Sequence, residues 1–171
     1  MKSQQDVIFL AGFPRSGTTW FSNLINSHQN VVYRHELIGR NYAAFGEDLF
    51  HKIKFNNGLN DSDFDSAMKV IRSSNIETDK PPFFKKDFGL SRYPKLHHYT
   101  WLISKALPPM RPIYDMCFRV PKSQLGIKIL VKETRSAKDM ESLLNGLRVK
   151  YKIFLIRKPH GCVASHLNGI E

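Results

Sequence analysis

Residues 7–20 read Val-Ile-Phe-Leu-Ala-Gly-Phe-Pro-Arg-Ser-Gly-Thr-Thr-Trp, and they constrain this chain more than any other segment. An apolar run predicts a short strand over Val7–Ala11, a glycine-bounded turn follows, and Thr18 opens a helix. A junction of this kind aims backbone N–H groups and a helix N-terminus at one point, where an anion can sit.

The spacing from Gly12 to Gly17 is that of the nucleoside-triphosphate loop G-x-x-x-x-G-K-[ST], but Thr18 stands in the lysine slot. A phosphate cradle is kept, while the residue that reaches the β/γ-phosphates of ATP is missing. Nucleotide hydrolases and kinases also need Mg²⁺, usually held by an aspartate at the end of an apolar strand. Here the later apolar runs end in Lys132-Glu133 and Arg157-Lys158. The expected ligand is therefore an anionic nucleotide bound without metal. The formal charge of +11, from 26 Lys+Arg against 15 Asp+Glu, points the same way, toward polyanionic partners. The basic residues are scattered and form no nucleic-acid reader motif, so no specific nucleic-acid partner is expected. Cys117 and Cys162 lack metal-ligand or Cys-x-x-Cys spacing, and His51 and His97-His98 lack ligand spacing, so neither a disulfide framework nor a metal site is expected. No apolar run reaches the ~18 residues of a membrane span. The first strand follows Met1–Asp6 directly, with no room for a signal peptide, so a cytoplasmic location is expected.

At 171 residues and 42% hydrophobic content, residues 1–171 predict one domain with one sizeable core. A helix is predicted from Thr18 to about His28 with Trp20, Phe21, Leu24 and Ile25 on its apolar face. A short strand Val31–Tyr33 runs into Arg34-His35-Glu36, and Phe64, Met68 and Ile71 suggest a helix from Asp61. Prolines and aromatics crowd residues 80–121, where Leu96–Leu107 reads as a helix and the remainder as loop. This insert is the expected acceptor-side wall, since aromatic and cationic side chains suit sugars or phenols, with a satellite core of packed aromatics as the other reading. The pattern then becomes regular. Ile127–Val131 predicts a buried strand, and Ser136-x-x-Asp139 a capping box opening a helix with Met140, Leu143, Leu144 and Leu147 on one face. A second buried strand, Lys152–Ile156, leads into a last helix carrying Val163, Ala164 and Leu167. Strands alternating with helices define an α/β class, a three-layer fold with a central parallel sheet covered on both faces. Ligands in such sheets bind at the carboxyl ends of the strands, which here hold Gly12–Thr19, Lys132-Glu133-Thr134-Arg135 and Arg157.

Two of these segments carry a resemblance. Phe13-Pro-Arg-Ser-Gly-Thr-Thr-Trp20 resembles the 5′-phosphosulfate loop of the P-loop-like sulfotransferases that use 3′-phosphoadenosine 5′-phosphosulfate (PAPS). Lys152-Ile-Phe-Leu-Ile-Arg157-Lys-Pro159 with Ser165 is similar to their 3′-phosphate motif, a strand followed by R-x-P and a serine eight residues after the arginine. The resemblance implies that Arg15, Ser16, Gly17, Thr18, Thr19 and Trp20 hold the 5′-phosphosulfate, and that Arg157 and Ser165 clasp the 3′-phosphate. Arg offers a fork of donors matched to phosphate oxygens, and a serine on the following helix adds a neutral one. Leu24–Glu36 is similar to the tyrosylprotein and carbohydrate branches, where a glutamate after a short strand is the base. Glu36 falls at that place, with His35 as a rival, and Lys132 matches the lysine that stabilises the bridging oxygen. The implied activity is transfer of a sulfuryl group from PAPS to a hydroxyl or amine of a carbohydrate, peptide or small-molecule acceptor. Glu36, Lys132 and Arg15 would carry the catalysis by in-line displacement without metal. Family domains run on beyond the 3′-phosphate helix, so the resemblance also implies a C-terminally truncated domain. Two alternatives follow: a catalytically incomplete module that binds PAPS or its product 3′-phosphoadenosine 5′-phosphate (PAP), and a degenerate P-loop nucleotide kinase.

Overall fold

The computed structural model describes residues 7–37, 42–55, 59–120, 126–134, 144, 147 and 149–167. Four strands, β1 (Val7–Gly12), β2 (Val31–His35), β3 (Lys128–Glu133) and β4 (Tyr151–Leu155), form one sheet in the order β2-β3-β1-β4. Every pairing is parallel: Phe9 stands opposite Val131 and Lys152, and His35 opposite Lys132. The helices are α1 (Thr18–Asn26), α2 (Glu47–Phe55), α3 (Asp61–Arg72), α4 (Pro94–Ala106), α5 (Arg111–Cys117) and α6 (Pro159–Leu167). The α/β class expected from the alternation of elements is the class observed.

Parallel strands buried on both faces need apolar side chains at every position, and β1 and β3 supply them. Val7, Phe9, Ala11, Ile129 and Val131 point to one face, where Ile53 of α2, Met68 and Ile71 of α3, and Leu144, Leu147 and Val149 cover them. Leu10, Leu130, Val31 and Tyr33 point to the other, against Phe21 and Ile25 of α1. Full burial contributes roughly 1.5–3 kcal/mol per large apolar side chain, so these two layers carry most of the stability. The α3 helix starts where Asn60 Oδ1 accepts from the Asp63 N–H at 2.7 Å, a side-chain cap for an otherwise orphaned donor.

Several elements differ from the expectation. The buried residues of α1 are Thr18, Ser22 and Asn26, flanked by Phe21 and Ile25, whereas Trp20 and Leu24 face solvent. Helical spacing alone could not tell which edge of the apolar arc would meet the sheet. Strand β4 lies at the sheet edge, with Tyr151, Lys152 and Phe154 exposed, so it is not the buried strand that its composition suggested. Val163 and Ala164 of α6 are exposed as well. Glu47–Phe55 forms α2 where no element was expected, and Arg111–Cys117 is helical, with Pro112 in its first turn, although it was expected as loop. Leu96–Leu107 and the helix from Asp61 correspond to α4 and α3. Of the predicted Ser136 helix, only Leu144 and Leu147 fall among the described residues, and both are buried.

The proline- and aromatic-rich segment covers the outer edge of β2. His35 N–H donates to Thr78 O at 2.8 Å, and the Arg34 guanidinium spans Asp79 Oδ1 (2.7 Å) and the carbonyls of Tyr33, Ile71 and Arg72. Asp79 Oδ2 accepts from the Tyr114 hydroxyl, which in turn meets His97 Nε2 at 2.9 Å. The His97 ring is stacked between Phe83 (3.9 Å) and Phe118 (4.0 Å). Trp101, Tyr114, Phe118 and Ile76 form their own buried cluster, while Tyr93 and Tyr99 remain exposed. Most aromatics of the insert thus serve packing.

Candidate functional site

The loop after β1 is shaped by two glycines with different duties. A Cβ on Gly12 would lie 2.6 Å from Ser16 Oγ and 2.8 Å from both Leu155 O and Thr18 Cγ2, so only hydrogen fits. Gly17 has open space around it but a φ of +94°, a conformation that costs other residues energy. Arg15 takes φ +65° between them, and Ser16 N–H closes the turn onto Phe13 O at 3.0 Å. At the start of α1, Gly17 supplies no side-chain cap and the first turn contains no acidic residue. Its leading N–H groups therefore face the loop as a patch of positive potential. Ser16 Oγ is buried with no hydrogen-bond partner among the described residues. Leaving such a group unpaired costs about 1–3 kcal/mol, and an anionic oxygen in the loop would recover it.

Arg157, just past β4, folds against Gly161 in the first turn of α6, where a Cβ would meet its Nε at 2.8 Å. From there Nη1 donates to Arg15 O at 3.2 Å. The two predicted motifs thus touch, although 142 residues separate Arg15 from Arg157. Both arginines are exposed. Ser165 lies on α6, and its side chain is outside the described residues, as is Arg135. Trp20, 70% exposed on the solvent side of α1, makes no contribution to the loop interior beyond its place in the first turn.

A second cluster sits at the carboxyl ends of β2 and β3, on the face covered by α1. Glu36, the residue after β2, has a φ of +44°, unusual for a non-glycine residue, and its N–H donates to Lys132 O at 2.8 Å. Lys132 Nζ lies 3.5 Å from Glu36 Oε1, both side chains being more than nine-tenths buried. The Thr134 hydroxyl donates to the same oxygen at 2.7 Å. Glu36 Oε2 faces His35 Nε2 at 3.8 Å, and His35 Nδ1 meets the Tyr33 hydroxyl at 2.8 Å. Burial, with Glu36 and Glu133 adding negative charge nearby, raises the Tyr33 phenol well above its ordinary range, so it remains a neutral hydroxyl. A buried ion pair gains little over apolar packing, and backbone strain is usually retained where a function requires it. Here the two coincide on one residue.

Of the residues expected from sequence, Arg15, Ser16, Gly17, Thr18, Thr19 and Arg157 share one rim, and Glu36 with Lys132 forms the adjoining cluster. Glu133 is buried completely, on the strand face opposite Lys132. Thr134 and Tyr33 had no assigned role; Tyr33 lies two residues before His35 on the same face of β2, a spacing that could have found it, while Thr134 lies just past the end of β3. The comparisons add no relative: no family model, curated protein or solved structure matches this chain.

Proposed function

We propose that this chain is a PAPS-dependent sulfotransferase-type domain that passes a sulfuryl group to a hydroxyl or amine acceptor. The observation that carries this reading is what stands at the carboxyl ends of the four neighbouring parallel strands: the β1 loop with its orphaned Ser16 hydroxyl, Arg157 of the β4 end beside Arg15, and the Glu36–Lys132 pair at the ends of β2 and β3. In this reading Arg15, Ser16 and the N–H groups of Gly17, Thr18 and Thr19 hold the 5′-phosphosulfate, and Arg157 with Ser165 holds the 3′-phosphate. Glu36 accepts the acceptor's proton as its oxygen bonds to sulfur, while the sulfur–phosphate-oxygen bond breaks. The electron pair leaves on the phosphate of PAP, where Lys132 and Arg15 stabilise the new charge. Carbohydrate, peptide tyrosine and small phenols all fit this chemistry.

Calorimetric titration with PAP, with ADP and Mg-ATP as controls, tests the assignment. PAP binds without metal at least tenfold tighter than ADP. Arg157→Ala, an exposed change, removes at least that tenfold, since a charge-assisted hydrogen bond contributes about 1.5–3 kcal/mol. A preference for Mg-ATP, or equal binding of PAP and ADP, overturns the reading. If PAP binds, Glu36→Gln retains that affinity and abolishes transfer from PAPS to a panel of phenols, sugars and tyrosyl peptides.

A further inference from the structure

The hairpin of α4 and α5 turns its apolar side chains outward. The buried side of α4 carries His97, Trp101 and Ser104, while Leu96, Tyr99, Leu102 and Ile103 stand exposed at the three- and four-residue spacing of a packing face. The connection to α5 goes further. Ala106-Leu107-Pro108-Pro109-Met110 is a run of exposed residues without one polar side chain, and Ile113 and Met116 extend it onto α5. Leu107 is 55% exposed and Met116 74%. Exposed apolar side chains grouped in this way mark an interaction surface.

The backbone of this tip indicates what it meets. Leu107 N–H donates to Ile103 O at 2.8 Å, Met110 N–H to Leu107 O at 2.9 Å, and Arg111 N–H to Pro108 O. Pro108, Pro109 and Pro112 have no N–H to offer. From Leu107 to Pro112 no backbone donor is left for a partner. A protein surface can satisfy open donors, whereas the hydrocarbon of a bilayer cannot, so a tip closed on itself is what can enter it. Pro109-Met-Arg-Pro112 has the P-x-x-P spacing of a polyproline ligand, but Met110 (φ −83°, ψ −10°) and Arg111 (φ −57°, ψ −45°) are helical, so it is not displayed as one. Charge narrows the choice again. Lys105 and Arg111 bracket the tip, and Lys95 stands exposed on α4. Lys105 Nζ lies over the Trp101 ring at 4.8 Å, and Arg111 is 3.7 Å from Glu77. The single acid between Leu90 and Met116 is Asp115, one of whose carboxylate oxygens is buried. Two copies meeting here would set like charges against one another, whereas an anionic bilayer also attracts the net +11 of the chain. We propose that the α4–α5 tip is an interfacial membrane anchor. Leu107, Pro108, Pro109 and Met110 enter the boundary between headgroups and acyl chains of an anionic bilayer, with Lys95, Lys105 and Arg111 on the headgroups. The anchor is independent of the chemistry at the strand ends.

Flotation of the full chain with vesicles tests the proposal, using phosphatidylcholine alone and phosphatidylcholine with about 30% phosphatidylserine. The chain is expected to float with the anionic vesicles, less so as salt rises. Leu107→Ser combined with Met110→Ser leaves every charge in place and lowers partitioning about tenfold or more. Lys95→Gln and Lys105→Gln each lower it about fivefold. In Leu107→Trp the new indole is quenched by lipids brominated on their acyl chains, beyond any quenching of Trp20 and Trp101 in the unaltered chain. These four positions are exposed, and unchanged circular dichroism verifies the fold of each variant. No flotation with anionic vesicles overturns the proposal. So does flotation that the two serines leave intact, which means that net charge alone adsorbs the chain. If sedimentation equilibrium instead shows dimers that the two serines dissolve, the tip is an interface between copies and the anchor is excluded.

Discussion

Gly12 and Gly17 look equivalent in the motif, yet the structure uses them for separate reasons, and the difference is measurable. At Gly12 a methyl group meets a backbone oxygen, Leu155 O, at 2.8 Å, and backbone cannot step aside as a side chain can. Gly12→Ala therefore pushes β4 away from the loop and costs about 1–3 kcal/mol, the usual range for overpacking. Gly17→Ala meets nothing within 4 Å and suffers only from its positive φ, about 1–2 kcal/mol. Urea midpoints measure both losses. On the proposed function the variants separate further: Gly12→Ala abolishes PAP binding because Arg157 follows β4, while Gly17→Ala weakens it by tenfold or less. Equal loss of binding in the two variants contradicts this division of labour.

At the scale of elements, α4 is held by a ring that should not be charged. His97, buried between Phe83 and Phe118, has its acidity shifted to about 3, by burial first and then by the cations Arg34, Lys86 and His98. An unfolded histidine titrates near 6.5, so between pH 6.5 and 3 the unfolded chain binds a proton that the native chain refuses. The stability from neutral His97 is thus complete above pH 6.5 and is lost as pH falls through that window, on the order of 4 kcal/mol in total. Asp115, with a carboxyl raised to about 6 by burial and by Asp79, works in the opposite sense and blunts the slope. Denaturant unfolding from pH 7 to 4 should show this decline, and His97→Gln should be less stable at pH 7 but flatter across the range. A slope unchanged by the substitution assigns the acid sensitivity elsewhere. None of this was visible in the sequence, where His97 and His98 stand side by side. Ring stacking comes from Phe83 and Phe118, 14 residues before His97 and 21 after, and no local period links them.

The same boundary between local and distant information runs through the whole molecule. The strand–turn–helix at the start, the apolar β1 and β3, and the rim at their carboxyl ends were legible because each is written in a few consecutive residues. The edge position of β4, the solvent side of α1 and the burial of Glu36 against Lys132 and Thr134 were not, since each depends on what packs across the sheet. Arg34 and Asp79 are the sharpest example. Flanked by residues that point to the sheet and the insert, they read as ordinary charges, yet both are buried, paired at 2.7 Å, and join β2 to the aromatic insert. Burial pushes the Asp79 carboxyl upward, while Arg34 and the Tyr114 hydroxyl pull it back. Asp79→Ala leaves a guanidinium buried without its counter-charge and costs about 3–5 kcal/mol. If the pair is the main tie between sheet and insert, the loss also changes how the molecule unfolds. The chain has two tryptophans, and in a Trp20→Phe background Trp101 alone reports on the insert, where it is buried with Nε1 donating to Ile76 O at 3.1 Å. With the pair intact, Trp101 fluorescence and far-ultraviolet circular dichroism follow one urea transition. In Asp79→Ala the fluorescence change comes first, because the insert loosens while the parallel sheet persists. Coincident transitions at a lower midpoint would instead mean that apolar packing on β2, through Val32, Phe88, Val120 and Ile127, is enough to keep insert and sheet one cooperative unit.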